Sequence, residues 1–169
     1  MAAEQERAQE SAVVVTMTAA SEPASGFDPA YGWGAGEHVH EPLIQSTLLV
    51  TNTDLTIGMD LATDYSVSDD GLTWTVKIRD DVKFTDGEKL TASDVAFTYN
   101  NCKENSSVND FTMLDHAEAV DDTTVEFHMA KPFSPWPYTM AITGIVPEHA
   151  YDENYGMNPI GSGRYMLKQ

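Results

Sequence analysis

Residues 62–79 leave little freedom in how the chain can fold. Two runs, 62–68 and 72–79, flank the turn Asp69-Asp70-Gly71. In the second run Leu72, Trp74, Val76 and Ile78 alternate with Thr73, Thr75, Lys77 and Arg79. A period of two sends one set to a buried face and the other to water, and Asp-Gly supplies the turn of a tight β-hairpin. A second hairpin is expected from 117–120 and 123–129 around Asp121-Asp122, with Val125, Phe127 and Met129 on one face. Between the hairpins, Thr91-Ala-Ser-Asp94 reads as a helix N-cap box with Asp in place of the usual Glu or Gln. The helix is expected over 92–103, burying Val95, Tyr99 and Cys102 along one stripe with Phe97 beside them. These elements can share one core, which makes the class mixed α/β (α+β).

The remainder is less regular. Residues 1–11 read as a polar tail, and Ala12-Val-Val-Val-Thr-Met-Thr18 as a strand apolar on both faces. A Pro/Gly/Ser-rich loop follows from 20 to 36, then a short helix over 37–47 with Pro42 awkward inside it. Phe84-Thr-Asp-Gly-Glu88 reads as a turn, and Pro132, Pro135 and Pro137 break regular structure around Phe133 and Trp136. The last segment, from Arg164, reads as the start of a strand. It and the Val-rich strand need partners, in each other or in a second copy of the chain.

Charge narrows the partners. The chain has 169 residues, 27 Asp and Glu against 9 Lys and Arg, and a net charge of -18. Its three arginines, Arg7, Arg79 and Arg164, form no cluster, so nucleic acid and anionic membrane surfaces are not expected partners. Cys102 stands alone, which removes a disulfide framework and a cysteine-based zinc site and leaves a buried, inert thiol. No signal peptide or membrane-spanning run is visible.

Several chemistries can be weighed at named residues. The pairs Asp69-Asp70, Asp80-Asp81 and Asp121-Asp122 sit at turns, where Asp is chosen for local backbone hydrogen bonds. No Gly-x-Ser-x-Gly elbow, phosphate-cradling loop or calcium loop is present. His116, His128 and His149 read as isolated, with His128 exposed opposite Phe127. His38 and His40 form a tempting metal pair, but on a helix two residues apart they diverge by about 200°. No metal and no cofactor is therefore expected. Tyr31, Gly32 and Trp33, an aromatic pair among glycines, suit a ligand-lining loop.

The order of motifs carries a resemblance. Phe27-Asp-Pro-Ala30, Glu41-Pro-Leu43, the block from Leu61 to Gly87, Leu90 to Tyr99, and Asn158-Pro-Ile-Gly-Ser-Gly-Arg-Tyr165 resemble the extracytoplasmic solute-binding proteins of peptide and nickel ABC transporters (family 5). The match runs from about residue 12 to the end. It implies a partial type II periplasmic-binding-protein-like fold and a fragment of a longer, two-lobed protein. Residues 12–40 and 158–169 would belong to the main sheet of the first lobe, 41–157 to a subdomain inserted into it, and the second lobe would be absent.

The resemblance also implies a function: capture of a peptide or similar small solute for an ABC permease, without catalysis, outside the cytoplasmic membrane. Any lipid-anchoring cysteine would lie upstream of Met1. The loop carrying Tyr31, Gly32 and Trp33 would lie along the interlobe cleft, and His38 would face it. His40 stands where the family usually has a packing aromatic. A nickel complex is the alternative ligand, although family members that bind one use an arginine from the segment after the second hairpin. Here residues 90–162 contain none. From a different class, a metal-dependent hydrolase would use His38 and His40.

Overall fold

The computed structural model describes residues 25–31, 42–106 and 109–167. Among them the first hairpin is present as β3 (Ala62–Val67) and β4 (Thr73–Ile78), and the second as β5 (Leu114–Asp121) and β6 (Thr124–Met129). A smaller antiparallel pair, β1 (Leu49–Thr51) and β2 (Ile57–Met59), precedes them. The four longer strands form one antiparallel sheet in the order β3-β4-β6-β5. Thus β4 leaves its own hairpin partner on one side and pairs on the other with β6, setting Trp74 opposite Phe127 and Val76 opposite Val125.

That register puts the apolar sets of β4 and β6 on one face. The helix α1 (Ala92–Asn105) covers it with Val95, Tyr99 and Cys102. Thr91 starts the helix as expected: its backbone N–H donates to Asp94 Oδ2 at 2.9 Å, which satisfies a donor the helix cannot. Four rings fill the centre. Tyr99 lies 4.6 Å from Phe127 and 5.6 Å from Trp136, and Phe111 packs edge-on to Tyr99 and Trp136. Complete burial of an aliphatic or aromatic side chain contributes roughly 1.5–3 kcal/mol, so these rings add substantially to a core shared with Leu48, Leu61, Val76 and Val125. Cys102 is buried here, and burial pushes its thiol up to about 12, which is the inert thiol expected.

The fold departs from the sequence reading in three places. Residues 42–47 are not helical, and 37–41 lie outside the described residues. Pro42 offers no N–H, and the carbonyls of Ile44 and Ser46 accept from Gly163 (2.7 Å) and Ile145 (2.9 Å) instead of from a helical turn. The proline-rich stretch does contain a helix, α2 (Trp136–Ile142), with Pro135 as its N-cap and Pro137 in the first turn. Proline is tolerated there because the first-turn N–H groups have no helical partner. Finally, residues 165–167 form no strand, since nothing among the described residues pairs with them. The Val-rich segment 12–18 lies outside the described residues.

Candidate functional site

Of the ligand-lining candidates, the structure places Tyr31; Gly32, Trp33 and His38, and His40 with them, lie outside the described residues. Tyr31 lies in residues 25–31, which are clamped onto the body. Asp28 is the centre of the clamp. Its Oδ1 accepts from the N–H of Ala30 at 2.9 Å, and its Oδ2 accepts from the Tyr151 hydroxyl at 2.8 Å. Asn101, on α1, donates to the same hydroxyl at 2.9 Å. Burial pushes the Asp28 carboxyl above its usual range, against the pull of its two hydrogen bonds. Burial, and then the bond to Asp28, raises the Tyr151 hydroxyl.

Two further contacts hold the segment. Gln45 Nε2 donates to the carbonyl of Phe27 and to the Tyr155 hydroxyl, both at 3.0 Å, and Tyr155 donates to the carbonyl of Ile160 at 2.8 Å. The backbones of 25–27 and 156 meet directly, with Phe27 N–H donating to Gly156 O at 2.7 Å. Gly26 has φ +63°, and a Cβ on Gly156 would lie 1.8 Å from Ser25 O, so neither position admits a side chain without movement. Tyr31 emerges from this anchor with 37% of its surface exposed. An exposed aromatic on a rigidly held loop can offer a face to a ligand, with little ordering cost on binding.

Two of the three acidic pairs behave as turn residues, and Asp80-Asp81 does not. Asp70 Oδ1 accepts from Leu72 N–H and Ser68 Oγ, Asp121 Oδ1 accepts from Thr123 N–H, and Asp81 grips the Arg79 guanidinium through both oxygens. The histidines do not stand isolated, which corrects the sequence reading. His149 Nε2 lies 2.7 Å from Asp86 Oδ2. His116 and His128 stack across β5 and β6 with ring centroids 4.5 Å apart. His128 is half-buried instead of exposed, because that neighbouring ring covers it. With Glu118 they form the one His/Cys/Asp/Glu group among the described residues with metal-ligand spacing. A signal for it was present: His-Ala-Glu on one strand faces Glu-Phe-His on the next, so antiparallel pairing sets His over His and Glu over Glu.

The comparisons with known proteins agree on a family. Residues 56–169 match the model of the bacterial extracellular solute-binding proteins, family 5 Middle. The probable D,D-dipeptide-binding periplasmic protein DdpA of Escherichia coli is 34% identical over 121 residues, covering 64% of this chain and 23% of that protein. Protein XP55 of Streptomyces lividans is 34% identical over 169 residues, covering 94% of this chain and 30% of its own. Among solved structures, NikZ of Campylobacter jejuni in complex with Ni(L-His) superposes with a TM-score of 0.76 at 29% identity, covering 86% of this chain and 31% of that one. The oligopeptide-binding protein AppA of Bacillus subtilis, in complex with a nonapeptide, gives 0.73 at 28% identity, over 89% and 32%. The chain thus spans about a quarter to a third of these relatives, and its fold is part of a type II periplasmic-binding-protein-like fold. It belongs to the family 5 bacterial extracellular solute-binding proteins.

Proposed function

We propose that the chain is part of the first lobe of a solute-binding protein that captures a peptide or similar small solute outside the cytoplasmic membrane and presents it to an ABC permease. It performs no chemistry; binding is non-covalent closure of two lobes around the ligand. The observation that carries this reading is the clamp through Asp28, Tyr151 and Gly156, which holds the segment carrying the exposed Tyr31 against the body. The neck of the body supports it too. The chain enters through 42–46 and leaves through 160–163 side by side, with Gly163 N–H bonded to Ile44 O and Ser46 Oγ to Ser162 O, as an inserted subdomain requires. No helix among the described residues is long and apolar enough to cross a membrane.

A peptide ligand is supported by the likeness to AppA and DdpA, and a metal chelate by the likeness to NikZ. Calorimetric titration of the longer natural protein with di- to nonapeptides, and separately with a nickel–histidine complex, separates the two. Tyr31→Ala is expected to weaken the productive ligand by at least tenfold. An unchanged affinity in that variant overturns the ligand-lining role of the loop.

A further inference from the structure

The outer face of the four-stranded sheet, away from α1, carries a group of side chains that solute capture does not use. Its geometry comes from a β-bulge. On β5, Leu114 pairs with Met129 and His116 with His128, so Asp115 is an extra residue against β6. In a regular strand His116 would share the buried face of Leu114. The bulge turns it outward, directly opposite His128, and sets Glu118 opposite Glu126 in the next row.

Hydrogen bonding then orients the rings. His116 Nδ1 lies 2.7 Å from Asp115 Oδ2. An ionised carboxylate only accepts, so Nδ1 is the donor, and in the neutral ring that leaves the Nε2 lone pair free for a metal. His128 Nε2 is buried and makes no hydrogen bond, yet it faces Glu126 Oε2 at 3.6 Å and Glu118 Oε2 at 4.0 Å. One donor atom each from His116, Glu118 and His128 lies within 4.8 Å of the others. A buried nitrogen left unbonded between two carboxylates is a costly arrangement for which a cation provides the missing partner.

We propose that His116, His128 and Glu118, with Glu126 beside them, bind a divalent transition-metal ion of the zinc or nickel type on the outer face of the β5–β6 hairpin. Imidazole and carboxylate donors suit such ions. Metal–ligand distances of about 2.0–2.2 Å place the donors of a tetrahedron about 3.4 Å apart. The observed separations close onto that by tilting the stacked rings and rotating the exposed Glu118, with the strand backbones fixed. Asp115 serves as the carboxylate behind a ligating histidine, which fixes its tautomer and raises its basicity. The bulge therefore supplies both the outward turn of His116 and the carboxylate that orients it.

The test is calorimetric titration of the 169-residue chain with nickel chloride and zinc chloride at pH 7.5, with magnesium chloride as the hard-cation control. His38→Ala and His40→Ala are present throughout, so that the other histidine pair contributes nothing. One nickel or zinc ion per chain and no magnesium uptake are expected. His116→Ala and His128→Ala should each weaken binding by at least tenfold, and Asp115→Asn by about tenfold. Melting midpoints in chelator report folding, and because the His116 ring is half-exposed, His116→Ala decides should His128→Ala melt early. Undiminished binding in the double variant His116→Ala/His128→Ala overturns the site, as does no uptake of either ion at 100-fold molar excess.

Discussion

Two contacts, one between side chains and one between backbones, tie distant parts of the chain together, and each has a measurable consequence. The hydrogen bond that His149 Nε2–H donates to Asp86 raises His149 above its ordinary 6.5, and the same bond lowers Asp86 below its ordinary 3.8. A raised histidine contributes stability that is complete below 6.5 and lost as pH rises through its folded value. A lowered carboxylate contributes above 3.8 and loses that contribution as pH falls through its own folded value. The pair is therefore strongest between about pH 4 and 6.5. His149→Gln is expected to flatten the fall in melting midpoint between pH 6 and 8, by at most about 1 kcal/mol for so exposed a pair. A wild-type slope retained in the variant would count against the linkage. At Gly156 the constraint is steric. Gly156→Ala forces its Cβ against Ser25 O, at an expected cost of about 1–3 kcal/mol in urea denaturation. Faster proteolytic cleavage near residues 25–31 should accompany it.

At the scale of elements, the sheet rests on one helix and one aromatic cluster. Phe127 is completely buried on β6, between Tyr99 of α1 and Trp136 of α2. Removing its ring leaves a cavity that three elements line and none can fill alone. Phe127→Ala should cost about 3–5 kcal/mol, read as a lower urea midpoint with an unchanged slope. The edge strand β5 is secured differently. Asn100 on α1 donates to Ala117 O at 2.9 Å and accepts from Ala117 N–H at 2.8 Å, occupying the free edge that would otherwise invite pairing with another chain. Asn100→Leu orphans both backbone groups and should cost about 1–3 kcal/mol. Increased self-association in sedimentation velocity is its second expected sign.

For the molecule as a whole, residues 42–163 supply nearly all of the core, while segment 25–31 joins it through buried Ala30, the hydrogen bond from Gln45 to Phe27 O, and the clamp around Asp28 and Gly156. Proteins of this family that resemble this chain are about three times as long. A ligand held by two lobes loses most of its buried surface when one is missing. On the proposed reading, the 169-residue chain alone is expected to show no micromolar affinity for a peptide that a longer, two-lobed protein captures. Calorimetry on the two side by side checks this, and comparable affinities would place the site within the chain itself.

Both hairpins, the turn at Phe84–Glu88 and the start of α1 were legible because each is set by neighbouring residues: alternation of period two, Asp-Gly at a turn, Thr and Asp at a helix start. The family was legible from the same local motifs in order. What those rules could not supply lies in contacts between distant residues. Residues 42–47 gave up helical bonding because Ile145 and Gly163 supply other donors. Trp136 and Pro137 begin a helix because the cluster around Tyr99 and Phe127 buries its face. His116 faces outward only because a bulge at Asp115 shifts its phase, and His128 meets it only once β5 and β6 are in register. Local chemistry determined which elements form; long-range pairing, which has no signature within a short window of residues, decided which side chains meet.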